Sequence, residues 1–168
     1  SGYDFESKIM VKEDAPALLR AEFARPNYKP VCLACSGVTD PYQPIEKKLR
    51  LTRRCLEVMT ECRNPVVFIT KNHLITRDLD LLQELARYQA TAAYISITSL
   101  DPALAHKLEP RASSPSQRLD AIRQLRAAGV PVGVSLAPVI PAINEEEIPA
   151  IVRAAHDAGA SFIGSTVV

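Results

Sequence analysis

The sequence predicts an α/β fold: a partial (β/α) TIM-type barrel of about six parallel strands with outer helices. Three observations predict it. Short Val/Ile/Leu/Ala runs recur at roughly 27–38-residue intervals with a helix-patterned stretch in each gap, the signature of consecutive βα units. The runs are continuously apolar, as in parallel strands covered on both faces. No Gly-x-Gly-x-x-Gly or other phosphate-binding glycine turn follows any of them, which counts against a dinucleotide-binding sheet. Eight units would need about 250 residues. The chain has 168, so the expectation is one partial domain, residues 1–168, truncated at both ends.

The elements follow in order. Ile9-Met10-Val11 reads as a short strand, followed by a helix from about Glu13 to Ala24. Val31 to Cys35 is the next strand, and one long helix from Ile45 to about Cys62 buries Ile45, Leu49, Leu56 and Met59. Val66 to Ile69 is a third strand. Asp78 is placed to N-cap a helix carrying Leu79, Leu82 and Leu85. Ala93 to Ile97 is a fourth strand, and Asp101-Pro102 opens a short helix. Ser114-Pro115-Ser116-Gln117 combines an N-cap, Pro at N1 and Gln at N3, a capping box. Its helix carries a stripe of Leu119, Ile122 and Leu125 and ends at Gly129. Val132 to Leu136 is a fifth strand. Asn144 caps a helix whose first turn holds Glu145, Glu146 and Glu147, matching the positive end of the helix dipole. Gly159 closes it, and Ser161 to Val168 is a sixth strand.

Composition narrows the function. Hydrophobic residues make up 47% and charged residues 23%, which is globular rather than disordered. The net charge of +1 supports neither a nucleic-acid nor a membrane surface as partner. No apolar run approaches the ~18 residues of a spanning helix, and no charged-then-apolar leader opens the chain. A cytoplasmic location is the expectation.

Cys32 and Cys35 form a Cys-x-x-Cys within a strand-like run. Residues three apart on a strand face opposite ways, and no second pair stands at zinc spacing. All four cysteines, with Cys55 and Cys62, read as small core hydrophobes. No metal-ligating residue is assigned. His106 and His156 read as surface helix residues, and the basic run Lys47–Arg54 as a solvated helix face.

Barrel enzymes carry their chemistry on the loops after the C-terminal strand ends, and the polar residues gather there. Thr39, Asp40 and Glu46 follow the second strand, and Lys71 and His73 the third. Ser96 and Thr98 share one face at the end of the fourth, with Arg111 slightly beyond. The fifth leads through Pro138 to Asn144. Lys71 fits either a Schiff-base or carboxylate-binding lysine or a solvated loop residue. Asp40 before Pro41 fits a turn cap as well as a site. Arg111 offers a bidentate fork for a carboxylate or a surface ion pair.

Asp4-Phe5-Glu6-Ser7-Lys8-Ile9, Val38-Thr39-Asp40-Pro41-Tyr42-Gln43-Pro44-Ile45-Glu46, Leu108-Glu109-Pro110-Arg111 and Ala137-Pro138-Val139-Ile140-Pro141 together resemble one family. It is the radical S-adenosylmethionine superfamily, in the branch of spore photoproduct lyase and the DNA-repair-photolyase-like proteins. The resemblance implies a 4Fe–4S cluster held by a Cys-x3-Cys-x2-Cys loop after the first strand. That cluster binds S-adenosylmethionine and cleaves it to a 5′-deoxyadenosyl radical. In relatives the triplet precedes the motif matching Asp4–Ile9, so the expectation is that this chain alone holds no cluster and is inactive. The resemblance further places Thr39 and Asp40 near the methionine amino group and Lys71 on its carboxylate. Ser96 and Thr98 fall beside ribose or carboxylate, Arg111 at a further carboxylate or substrate contact, and the loop ending at Asn144 along the adenine. It implies a nucleic-acid lesion or another large substrate, and a flavodoxin or ferredoxin as electron donor for the full-length protein. An opened barrel would also self-associate through its strand edges. The competing readings are a Schiff-base barrel aldolase using Lys71 and a non-catalytic binding domain.

Overall fold

The computed structural model describes residues 9–36 and 38–167. Most of the Asp4–Ile9 motif, Gly37 and the last residue of the final strand expectation therefore lie outside the described residues. Five strands form one sheet: β1 (Leu33–Cys35), β2 (Val66–Thr70), β3 (Thr91–Ser96), β4 (Val132–Val139) and β5 (Ile163–Val167). All neighbours are parallel and the spatial order is the chain order. A doubly wound sheet reverses direction at a switch point. An unreversed order with right-handed crossovers sets every helix on one face, as in a barrel wall.

The expected first strand does not form. Ile9, Met10 and Val11 are all exposed, Met10 to 96%, so no apolar surface covers the segment and nothing repays its ordering. Among the described residues the sheet has five strands, where the sequence predicts about six.

The helices are α1 (Ala15–Phe23), α2 (Glu46–Leu49), α3 (Leu51–Cys62), α4 (Leu79–Arg87), α5 (Pro102–Leu108), α6 (Pro115–Ala127) and α7 (Ile148–Asp157). Burial alternates along β2 and β3. Val66, Phe68, Ala93 and Ile95 point into one hydrophobic cluster with Leu56, Leu82, Ile122 and Ile151 from the helices. The opposite face carries the half-buried Val67, Ile69, Ala92 and Tyr94. There the Tyr94 and Phe162 rings meet edge-on, centroids 4.8 Å apart. Phe162 lies over Gly133, where a Cβ would stand 2.0 Å from its ring.

Several local expectations change. The long helix from Ile45 to Cys62 is broken at Arg50, which is left-handed at φ 50°. Glu46 explains the break. It is 4% exposed, and its carboxylate accepts from the first backbone N–H groups of α3 at Leu51, Thr52 and Arg53. It thus caps the following helix rather than serving its own. Asp78 makes no side-chain cap. It is fully buried and pairs with Arg77 at 2.7 Å and Arg53 at 3.0 Å, a use that only the packing of α3 on the start of α4 creates. Two of the four cysteines, Cys32 and Cys62, are exposed rather than in the core, because one precedes β1 and the other ends α3. The capping box at Ser114 forms as expected, Gly129 and Gly159 close their helices at positive φ, and His106 and His156 are exposed.

Candidate functional site

The ends of β1 and β2 are tied together by Asp40. Its Oδ1 accepts from the Tyr42 N–H at 2.8 Å and the Thr70 hydroxyl at 2.6 Å, and its Oδ2 accepts from the Lys71 N–H at 2.7 Å. The residue before Pro41 is therefore a brace that carries the loop after β1 across to the end of β2. Tyr42, fully buried against Phe68 with centroids 5.8 Å apart, anchors the same loop from below. Thr39 stands exposed beside it.

Lys71 follows the last residue of β2, and its Nζ lies 2.7 Å from Glu109 Oε1. Glu109 Oε2 accepts from Arg118 Nη2 at 2.7 Å and from the Thr98 hydroxyl at 3.1 Å. Arg118 is 1% exposed. Its remaining nitrogens donate to the Ser113 carbonyl at 2.7 Å and the Ser96 carbonyl at 3.0 Å. Burial pushes the Glu109 carboxyl up, but Lys71 and Arg118 outweigh it and hold the group below the usual carboxylate range.

Asn144 is 3% exposed and does not cap a helix. Its amide donates to the Thr98 carbonyl at 2.8 Å and the Pro138 carbonyl at 3.0 Å, and its oxygen accepts from the Ile140 N–H at 2.7 Å. It pins the loop after β4 to the end of β3. Glu147, expected to serve the helix dipole, instead accepts from the Ser99 hydroxyl at 2.6 Å and the Leu100 N–H at 2.7 Å. The carbonyls of Ser96 and Thr98 are both captured by side chains, so the end of β3 is the hub of this rim.

Of the sequence-predicted residues, Asp40, Lys71, Ser96, Thr98 and Asn144 are brought to one end of the sheet. Arg111 is exposed beyond α5, and the buried arginine of the rim is Arg118. Sequence reasoning missed Arg118 although a signal existed: it shares the apolar face of α6 with Ile122 and Leu125, at i, i+4 and i+7. That face is the buried one, and the expected Leu119 is only half-buried. Ser135, 9% exposed, is paired in register with Ser96 at this end. A second unforeseen pair joins His73 Nε2 to Asp120 at 2.8 Å, with Gln124 donating to the same carboxylate at 2.7 Å.

Parallel βα units with a polar rim at the C-terminal strand ends define the class: the wall of a (β/α) barrel enzyme core. The chain belongs to the radical SAM superfamily, whose family model matches residues 3–155. It is 33% identical over 144 residues to an uncharacterized protein of Mycobacterium tuberculosis, covering 86% of this chain and 42% of that protein. It is 31% identical over 108 residues to a radical SAM Nalpha-GlyT isomerase of Pseudomonas phage M6, covering 64% of this chain and 22% of that one. Among solved structures, a spore photoproduct lyase mutant with dinucleoside spore photoproduct superposes with a TM-score of 0.67 at 18% identity, covering 99% of this chain and 50% of that one. Streptococcus suis SuiB bound to precursor peptide SuiA gives 0.62 at 15% identity, covering 95% and 33%. The chain thus spans half or less of each of these proteins.

The superfamily implies S-adenosylmethionine and a 4Fe–4S cluster. The described residues do not fit a cluster: no group of three or more His, Cys, Asp or Glu among them could hold a metal ion. Cys35 is held as a thiol by burial, which pushes it up to about 11. The rim does fit a zwitterionic nucleoside. It presents a partly exposed ammonium at Lys71 and the exposed hydroxyl of Thr39, above the buried Ser96 and Ser135.

Proposed function

We propose that this chain is the S-adenosylmethionine-facing wall of a radical SAM enzyme. The observation that carries the reading is the ordered rim at the ends of β2 and β3, where Lys71 is the half-exposed cation of a buried charge cluster. Lys71 receives the methionine carboxylate, and Ser96 sets its hydroxyl beside the carboxylate or ribose. Thr39 and Asp40 lie toward the amino group. Thr98 supports Glu109 from below, Asn144 holds the adenine-side loop, and Arg111 serves as a further contact for carboxylate or substrate. In the complete protein a Cys-x3-Cys-x2-Cys loop outside residues 1–168 supplies the cluster, whose chemistry is the one-electron cleavage of S-adenosylmethionine to the 5′-deoxyadenosyl radical. Residues 1–168 alone are inactive in that cleavage, and a flavodoxin or ferredoxin in the cytoplasm reduces the complete enzyme.

The substrate we propose is a nucleic-acid base lesion, on the strength of the fold shared with spore photoproduct lyase. For the aldolase reading nothing specific speaks. Lys71 Nζ is engaged by a carboxylate rather than set in the apolar pocket that activates a Schiff-base lysine. The test is anaerobic iron–sulfide reconstitution of the complete protein, followed by dithionite and S-adenosylmethionine. Release of 5′-deoxyadenosine is expected, and its absence would refute the enzyme assignment. Hydrogen transfer from the cofactor to a lesion-bearing oligonucleotide is expected; transfer only to a peptide would reassign the substrate.

A further inference from the structure

Two cations face one carboxylate at this rim, Lys71 and Arg118 on the two oxygens of Glu109. The other group on Glu109, the Thr98 hydroxyl, is also a donor. Burying charge is costly unless it is balanced, and this cluster carries one positive charge in excess. Its three charged members are not equivalent. Arg118 is 1% exposed and also anchored to the Ser113 and Ser96 carbonyls, so it cannot turn outward. Glu109, 11% exposed, is gripped by Arg118. Of the three, Lys71 is the one that reaches solvent, at 33%. Its ammonium has three N–H donors and stands 2.7 Å from Glu109 Oε1 as an ion pair.

We propose that Glu109, fixed by Arg118, is the positioning residue that aims Lys71, and that the cluster's spare positive charge is presented there to a ligand carboxylate. The inference rests on the reading above, in which that carboxylate belongs to S-adenosylmethionine. A lysine stem is long and flexible, and ordering it on binding costs rotamer entropy. A fixed counter-carboxylate removes most of that cost beforehand. Glu109 also weakens the field of Lys71, so deleting its charge would mix two effects. Glu109→Asp keeps the charge and withdraws it by one methylene, which isolates the positioning.

The experiment is equilibrium dialysis of the complete, anaerobically reconstituted protein against S-adenosylmethionine and decarboxylated S-adenosylmethionine. The readout is the preference between the two ligands. The wild-type protein is expected to prefer the carboxylate-bearing ligand by about tenfold or more, and Lys71→Met to abolish that preference. Glu109→Asp is expected to lower the preference at least about threefold while the affinity for the decarboxylated ligand holds within about twofold. If Glu109→Asp does not fold, Glu109→Gln keeps the volume and an Arg118 contact; removing the charge alone would raise the preference, so a fall in it reads the lost positioning. Equal weakening of both ligands marks a structural residue and overturns the proposal. So does an unchanged preference in the Glu109 variants, or a preference that survives Lys71→Met. Those results leave the enzyme reading standing. Failure of the wild-type protein to bind S-adenosylmethionine brings down both.

Discussion

Arg118 shows how much one residue can decide. A lone arginine on an apolar helix face is ordinarily a liability. Here it saturates three acceptors, Glu109 and the carbonyls of Ser96 and Ser113. Arg118→Met should therefore cost about 3 kcal/mol or more, because it leaves Glu109 with Lys71 as its one charged partner and takes the donor from the Ser96 and Ser113 carbonyls, and urea unfolding reads the loss. Glu109 titrates with a defined sign. Its folded-state pKa lies below the ordinary value, so its contribution is complete above the ordinary carboxylate range and is lost as pH falls through the lowered pKa. The urea midpoint should drop as pH falls below the ordinary carboxylate range and through the lowered pKa, and drop less steeply in Glu109→Gln. The cysteines give a chemical check. At mildly alkaline pH, iodoacetamide should label the exposed Cys32 and Cys62 well before Cys35, whose thiol is pushed up to about 11. Early labelling of Cys35 would contradict its placement.

At the scale of elements, β4 is the most constrained. It pairs with both neighbours, and its Gly133 sits directly beneath the Phe162 ring. Gly133→Ala should destabilise by about 1–3 kcal/mol through overpacking, and Phe162→Leu in the same chain should recover part of the loss. The Phe162 carbonyl oxygen would also lie 2.6 Å from the added Cβ, so only the ring's share of the loss is recoverable, and additive losses in thermal melting would place the clash on the backbone. The loop leaving β4 depends on Asn144, whose three hydrogen bonds span from Ile140 to Thr98. Helix positions were legible from sequence where the signal is local. The capping box at Ser114 and the Asp101 cap, accepting from Ala103 N–H at 2.8 Å, need only residues within one turn. The break at Arg50 was not legible. It exists because the Glu46 carboxylate reaches forward five to seven residues to cap α3 while pairing with Arg77, 31 positions away.

For the whole molecule, an order that follows the chain leaves β1 and β5 as the two edges of the sheet among the described residues. Unpaired edges template further pairing, and among the described residues the helices pack on the face opposite Tyr94 and Phe162. Residues 1–168 on their own should self-associate, with a weight-average mass that rises with concentration in sedimentation equilibrium. A monomer at all concentrations would mean that the edges are protected.

The sequence by itself determined the alternation of βα units, their parallel class and the end of the sheet at which polar residues collect. These follow from periodicity and turn chemistry, which are local. It also placed Asp40, Lys71, Ser96, Thr98 and Asn144 at the C-terminal strand ends, where the fold has them. Only the tertiary structure decided what those side chains do there. The pairings that define the rim, Asp40 with Thr70 and Lys71, Glu109 with Lys71 and Arg118, and Asn144 with Thr98, mostly join residues 30 or more apart in sequence. No local preference encodes such contacts. Burial selects them, because a polar group taken out of water must find a partner wherever the fold brings one.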